Sequence, residues 1–479
     1  MNRRRFLTMA AGCAAGISAG CVRGGRVLVG AGERPPNFIV IMADDLGAKE
    51  LACYGHPRHQ TPHLDRLAET GVRFEIGYAA PICHPSRFMI MTGQYGCHNG
   101  VYHFAGRRGG PEPHSPVEDI GANHVTFAEV LKKRGYATAL AGKWQLSGKP
   151  PTMIHECDFD EYCIWAYLHY LPEGVEHTGG WERPGVKPER YWNPSLLKNG
   201  KYVPTTPDDY GPDIYTDFLI DFARRHRDEP FFLYYPMCLT HSPHVRTPDN
   251  IHLDDARFKG EAERFKGVVE YTDKLVGRLV AALEDLGLRE NTVVLFTGDN
   301  GTGKSGKGQP TELGARVPMI VNGPGIVKRR GGVHELADLS DVLPTLADFA
   351  DAPLPEDRVI DGRSLAPYLR GDADHTRDWI FAFIGDRRIL RTKRWLLEDN
   401  SPHHWGRLYD CGGGVDRSKY KEVTESTAPE VVAVKERFNA LLAGLPAPDV
   451  PEEGSATDKK GRRQQRAQRR KRRTDAKGE

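Results

Sequence analysis

The sequence predicts an α/β fold: a large mixed, mainly parallel sheet flanked by helices, followed by a small C-terminal antiparallel α+β subdomain. Three observations carry this expectation. Short apolar runs alternate with amphipathic ones through the body, two of those runs end on acidic pairs, and closely spaced short strands replace the pattern from about residue 376. A chain of 479 residues is too long for one ordinary domain and suits a large domain with a smaller companion.

Residues 37–42 (NFIVIM) form an unbroken apolar run, the mark of a strand covered on both faces, and lead into Asp44 and Asp45. Residues 126–134 have helical spacing and feed a strand at 137–141, and 231–235 is a further strand. Residues 268–286 read as a long amphipathic helix, and 292–297 (TVVLFT) as the strand after it, ending at Asp299. Ligands of open α/β sheets collect at the carboxyl ends of strands, so the two acidic pairs are placed for one shared site. Residues 171–211, rich in Pro, Gly, Trp and Tyr, read as a long surface insertion. Residues 380–383, 389–392 and 394–397 read as short strands and 430–445 as a helix. The expected division is an export signal with linker (1–34), the main domain (35–375), the subdomain (376–448) and a basic tail (449–479).

The net charge of +2 conceals two unlike parts. Residues 458–479 carry 11 Lys or Arg against 3 Asp or Glu, so this stretch is +8 and everything before it is −6. The body therefore has no basic field suited to nucleic acid, and the tail, lacking large apolar residues, reads as disordered. No apolar run reaches the length of a membrane span. At the start, Arg3-Arg4-Arg5-Phe6-Leu7 followed by small residues at 8–20 has the order of a twin-arginine signal. That implies passage through the Tat export machinery to the periplasm or cell surface. Ala19-Gly20-Cys21 also matches a lipoprotein cleavage site, except that Ser18 stands where Leu or Val is usual. Of nine Cys, seven lie beyond the signal, with no CxxC or zinc spacing; Cys157 and Cys163 are the nearest pair for a disulfide.

The chemistry begins with Asp44-Asp45 and Asp299-Asn300, whose carboxylate and amide oxygens are hard ligands suited to Ca²⁺ or Mg²⁺. One Asp after a strand is more often a helix cap, but two adjacent pairs at two strand ends favour a metal. Ca²⁺ takes about six to eight oxygens, so further ligands complete the shell. Next comes Cys83-His84-Pro85-Ser86-Arg87, where Pro85 suits a first helical turn. That puts Cys83 at a helix N-terminus, where the dipole favours an anion.

This run, with Thr92-Gly93 after it, resembles the C-x-P-S-R signature of the formylglycine-dependent (type I) sulfatases of the alkaline phosphatase superfamily, and the order of segments agrees from residue 36 to about 447. The resemblance implies an alkaline phosphatase-like fold and hydrolysis of a sulfate ester, with a sulfated carbohydrate as substrate. It implies that a formylglycine-generating maturation enzyme oxidises Cys83 to an aldehyde, whose hydrate attacks sulfur through one hydroxyl and expels sulfate through the other. Asp44, Asp45, Asp299, Asn300 and the matured Cys83 would hold the Ca²⁺ or Mg²⁺. Arg87 matches the arginine on the nucleophile's oxygen, Lys143 and Lys307 the two sulfate-binding lysines, and His241 the histidine near the leaving oxygen.

One position departs from the pattern. Two residues past Lys143 the family usually has His, and here stands Gln145, whose amide cannot accept a proton near neutral pH. Either another base works, His84 or His241, or turnover is limited at sulfate release; Gln145 itself is expected to hydrogen-bond the diol and tune substrate fit. Two other readings remain beside the sulfatase. A phosphodiesterase or phosphonate monoester hydrolase of the same superfamily would share the metal, aldehyde and cations, and a non-catalytic carbohydrate-binding relative would keep only the fold. Phe104, Trp165, Tyr167, Trp181 and Trp192 read as loop residues after the nucleophile and are candidates for stacking on sugar rings, though ordinary packing explains each of them at least as well.

Overall fold

The computed structural model describes residues 34–104, 119–146, 151–166, 171, 190–253, 258 and 260–449. The chain divides into residues 1–33 and 34–479. The stretch expected as an export signal, Cys21, the basic tail from 450, Tyr167 and Trp181 lie outside the described residues.

Ten strands make the main sheet: β1 (Asn37–Ala43), β2 (Val72–Tyr78), β3 (Ala137–Gly142), β4 (Glu161–Trp165), β5 (Leu196–Lys198), β6 (Lys201–Val203), β7 (Phe231–Pro236), β8 (Thr292–Gly298), β9 (Met319–Asn322) and β10 (Gly331–Asp338). Their order is β10-β2-β9-β8-β1-β7-β3-β4-β5-β6. From β8 through β4 every neighbouring pair is parallel, as is β10 with β2, while β9, β5 and β6 run antiparallel to their neighbours. Every residue of β1 is buried, which requires cover on both faces of the sheet. Two groups of helices supply it. One comprises Pro62–Thr70, Gly211–Arg225 and Glu261–Asp285; the other Cys83–Thr92, Phe127–Lys132 and Val342–Phe349. The helix expected from 268 begins at Glu261; its first two turns are largely polar, so no apolar period marks them in the sequence.

Part of the stretch expected as a surface insertion belongs to the sheet. Strands β5 and β6 join through Asn199-Gly200, both with positive φ (47° and 79°), and extend the sheet beyond β4. Asn-Gly is the hairpin signal, but three-residue strands are too short to show a period.

A second sheet is wholly antiparallel, in the order β11 (Ile380–Ile384), β12 (Arg387–Arg391), β13 (Trp395–Asn400), β14 (Arg407–Asp410) and β15 (Lys421–Glu422), with helix Pro429–Ala443 after it. A buried polar hub joins it to the main domain. Glu312 donates its N–H to Glu398 (2.7 Å) and accepts from the hydroxyls of Tyr78 and Tyr420, both at 2.8 Å. All seven described cysteines are free thiols, so the Cys157–Cys163 pair is not formed. Among the described residues no helix is long and apolar enough to cross a membrane.

Candidate active site

Four adjacent parallel strands, β8, β1, β7 and β3, deliver their carboxyl ends to one edge of the sheet. Ala43 and Gly298 are register partners, so the residues after them, Asp44-Asp45 and Asp299-Asn300, emerge side by side. The Asp45 N–H donates to Asp299 Oδ1 (2.9 Å), and Asn300 Nδ2 donates to Asp45 Oδ1 (2.9 Å). Lys143 follows β3 directly. Gly142 makes that exit feasible: its φ is +125°, and a Cβ there would lie 2.1 Å from the Pro236 carbonyl. The Lys143 N–H donates to that same carbonyl (2.7 Å), and its ammonium reaches Asp44 Oδ2 at 2.5 Å. His241 lies five residues past β7, its Nε2 3.7 Å from Asp45 Oδ2.

Helix Cys83–Thr92 brings the nucleophile candidate. Cys83 is its first residue, and Arg87, one turn on, shares its face. Ser86 pins the start of the helix by donating to the Ala80 and Ile82 carbonyls (2.9 and 3.1 Å). Arg87 donates through Nη2 to Asp299 Oδ2 (2.8 Å) and lies 3.7 Å from Asp44 Oδ1, with both partners fully buried. Lys307 arrives from a loop that folds back on itself, where a Cβ on Gly306 would sit 2.0 Å from the Leu313 carbonyl. Gly308 N–H donates to the Pro81 carbonyl (2.7 Å), tying that loop to the approach of Cys83, and Lys307 Nζ lies 2.7 Å from Asp45 Oδ1.

Charges this close in a dry site shift one another. Burial pushes the Asp44 carboxyl up, but Lys143, His241 and Arg87 together hold it far below the usual carboxylate range. Asp299 goes the other way: burial and the charge of Asp44 push it up to about 7 despite Arg87. Burial works against the charges of Arg87 and Lys307, yet the acidic groups beside them raise both. Burial also raises the Cys83 thiol, so the unmodified side chain stays protonated near neutral pH.

The donor set fits a hard divalent cation. One ligand atom from each of Asp44, Cys83 and Asp299 falls within 4.8 Å of the others, and the same holds for Asp44, Asp45 and His241. Asp44 Oδ1 and Asn300 Oδ1 are fully buried oxygens without a hydrogen-bond partner, an arrangement that costs free energy unless a cation meets them. A third group, Glu50, His56 and His59, has its two rings stacked 3.5 Å apart and His59 Nδ1 engaged by the Glu50 carbonyl, which suits packed histidines better than ligands.

Comparison with known proteins decides the family. The sulfatase family model matches residues 36–352. The chain belongs to the sulfatase family. It is thereby a sulfuric ester hydrolase with the alkaline phosphatase-like fold. Among the sulfatases it resembles are the steryl-sulfatase of Mus musculus (34% identical, covering 76% of this chain and 70% of that protein) and the N-acetylgalactosamine-6-sulfatase of Canis lupus familiaris (32%, covering 78% and 72%). Among solved structures, Ps i-CgsB in complex with k-i-k-neocarrahexaose superposes with a TM-score of 0.70 at 25% identity, over 85% of this chain and 93% of that one.

Every site residue of this sulfatase expected from the sequence converges on the one sheet edge or borders it. Gln145 lies two residues past Lys143, with a φ of +53° and its side-chain Oε1 buried without a partner. Its backbone carbonyl accepts from His84 Nδ1 (3.0 Å), while burial takes the His84 ring down to about 4. His241 is pushed down to about 3, by burial first and then by Lys143 and Arg190 over the opposing pull of Asp44. It is therefore a neutral ring at physiological pH, suited to hydrogen bonding rather than to delivering a stored proton.

Arg190 was not foreseen. It is 1% exposed, contacts His241 Nδ1 at 3.1 Å, donates to the Ser242 carbonyl, and stacks on Trp165 and Tyr191. It sits in the Pro- and Gly-rich stretch, where no spacing singles out one arginine. Trp165, a stacking candidate, is a residue of β4 only 2% exposed, so packing explains it and a sugar cannot reach it. Trp192 is committed to the Arg246 carbonyl and the Tyr210 ring. Phe104 does lie at the site, grouped with Cys83, Ile82 and Ile384.

Proposed function

We propose that this sulfatase hydrolyses a sulfate ester on a carbohydrate, with Cys83 matured to formylglycine and Ca²⁺ held by Asp44, Asp45, Asp299 and Asn300. The observation that carries the reading is the meeting of Cys83 with two buried carboxylates inside a ring of Arg87, Lys143 and Lys307. Cys83 would hold the aldehyde hydrate once matured, and that group would supply there a nucleophilic hydroxyl and a second one for the release of sulfate. Ca²⁺ when bound supplies positive charge that eases ionisation of a hydroxyl and polarises a sulfuryl oxygen.

The chain's own residues do the rest. Lys143 and Lys307 offer fixed ammonium groups to the sulfuryl oxygens, and Arg87 fixes Asp299 while facing the first turn of the nucleophile helix. The neutral His241 hydrogen-bonds to the leaving oxygen. Lys143→Ala or Lys307→Ala is expected to lower kcat/KM by about 10²–10³, the usual effect of removing one such contact. Steady-state sulfate release measures it.

Gln145 Oε1, buried and unpartnered, is an acceptor ready for a hydroxyl of the diol. Gln145→His is accordingly expected to change the rate of sulfate release by less than about tenfold, the equivalent of 1.4 kcal/mol. Single-turnover kinetics read that step directly, and a rise far beyond tenfold would show that the amide merely lacks the base.

The carbohydrate assignment is supported by the hexaose bound to Ps i-CgsB and by the named substrate of the N-acetylgalactosamine-6-sulfatases. Export follows from the twin-arginine pattern at Arg3-Arg4-Arg5. A panel of sulfated mono- and oligosaccharides beside a steryl sulfate, read by sulfate release, tests the substrate class. Turnover of the steryl sulfate alone would overturn it.

A further inference from the structure

The loop that delivers Lys307 is stacked on the chain just after it. Within the loop, the N–H groups of Gly306 and Lys307 both donate to the Thr302 carbonyl (2.8 and 3.2 Å). The loop then rests on Leu313-Gly314. A Cβ on Gly301 or Gly306 would sit 1.9 or 2.0 Å from the Leu313 carbonyl, and one on Gly314 would sit 2.2 Å from the Gln309 carbonyl. Gly301 N–H donates to the Gly314 carbonyl (2.8 Å). Backbone packed this closely cannot shift on one side without shifting on the other.

Strand β13 of the second sheet grips the segment between them. Asp399 N–H donates to the carbonyl of Pro310 (2.9 Å), and Glu398 Oε1 accepts the Glu312 N–H (2.7 Å). Glu398 is fully buried, and its two oxygens also meet Arg417 Nη1 and Nη2 at 2.5 and 2.6 Å, a bidentate pairing that fixes the carboxylate in place. The Glu312 carboxylate is held in turn by the hydroxyl of Tyr78 from the main sheet and that of Tyr420 from the subdomain.

We propose that Glu398 is a positioning residue of the active site: through Glu312 it sets where the Lys307 ammonium stands. The inference rests on the reading of Lys307 as a sulfate-binding lysine and adds what places it. Lys307 belongs to no helix or strand, so its backbone position comes from these contacts and from the Gly308 bond to Pro81. Its ammonium already lies 2.7 Å from Asp45 Oδ1, so a drifting loop changes the balance between that carboxylate and the sulfuryl oxygens. A misplacement of about 1 Å in such a contact costs up to about 10²-fold in rate. Glu398 itself touches no substrate.

A double-mutant cycle in the matured enzyme, read by kcat/KM for 4-nitrophenyl sulfate, separates this role from support of the fold. Glu398→Leu removes the acceptor of the Glu312 N–H and is expected to lower kcat/KM about tenfold or more, with an unchanged circular dichroism spectrum. In a Lys307→Ala background the same substitution should cost less than about twofold, because the group it positions is gone. Glu398→Gln keeps an oxygen for the N–H and should stay within about threefold of wild type. Tyr420→Phe, which leaves the ring in place, carries the test if Glu398→Leu does not fold. Its loss of about threefold should likewise vanish without the Lys307 ammonium. An equal factor in both backgrounds, or no loss with Lys307 present, overturns the proposal. Failure of the underlying reading looks different: Lys307→Ala alone would turn over at the wild-type rate, which sinks the lysine's role and its positioning together.

Discussion

Cys83→Ala is expected to lower sulfate ester turnover by about 10⁴-fold or more, the scale on which enzymes lose activity with their nucleophile. Fixed cations alone leave a residual rate, and Ser86, three residues on, is not free to take the covalent role. The hydroxyl of Ser86 is already donated to the Ala80 and Ile82 carbonyls. The fold should survive, because Cys83 is a small side chain in an apolar group with Ile82, Ile384 and Phe104, and its truncation costs about 1 kcal/mol. A thermal melt near the wild-type value would establish that. The same experiment separates the aldehyde from the thiol. Burial keeps the thiol protonated, so wild-type protein made without a maturation enzyme should be nearly as inactive as the alanine variant. Peptide mass spectrometry scores conversion at position 83, and activity should rise in proportion to it. Full activity from a wholly unconverted thiol would sink the formylglycine reading.

What the sequence made legible follows from where the information is local. Strands β1 and β8 are continuous apolar runs ending on acidic residues, so both their burial and their contribution to the site could be read from a few neighbouring positions. Cys83 and Arg87 are one helical turn apart, and Pro85 marks that turn. Strand β2 was missed although Val72, Phe74 and Ile76 alternate inward, because Arg73 and Glu75 between them give the segment an equally plausible surface look. In β10 only the second half is buried, and in β9 four residues are too few to show a period. Nonlocal relations left no trace at all. Ile384 meets Cys83 only because the two sheets dock, and Arg190 meets His241 across a sequence separation of 51 residues. For Trp165 the packing alternative holds: the residue expected in a loop ends strand β4 and is buried in the core.

Removing the divalent cation is expected to abolish turnover, and the affinity for it should carry the signature of Asp299. In the metal-free protein burial and Asp44 push this carboxyl up to about 7, whereas ligation needs the ionised form. Protons therefore compete with Ca²⁺ below pH 7, and the apparent affinity should fall about tenfold per pH unit between pH 7 and 5 while levelling off above about 8. Binding at pH 6 should release close to one proton, which calorimetry in two buffers of different ionisation enthalpy resolves. The same group sets a stability difference. A carboxyl whose folded value lies above its unfolded one, about 3.9, favours the fold below that value and loses the contribution as pH rises through 7. Ca²⁺ reverses this by stabilising the ionised form, so its effect on Tm should be small at pH 5 and large at pH 8. Asp299→Asn removes the titrating group while keeping an oxygen for the metal, so its weaker Ca²⁺ binding should be nearly independent of pH. An unchanged tenfold-per-unit slope in that variant would assign the proton to another residue. Asp341, pushed to about 7 beside Arg377, is the internal control, for it lies among Asp338, Tyr95 and Arg377 and none of these belongs to the metal site.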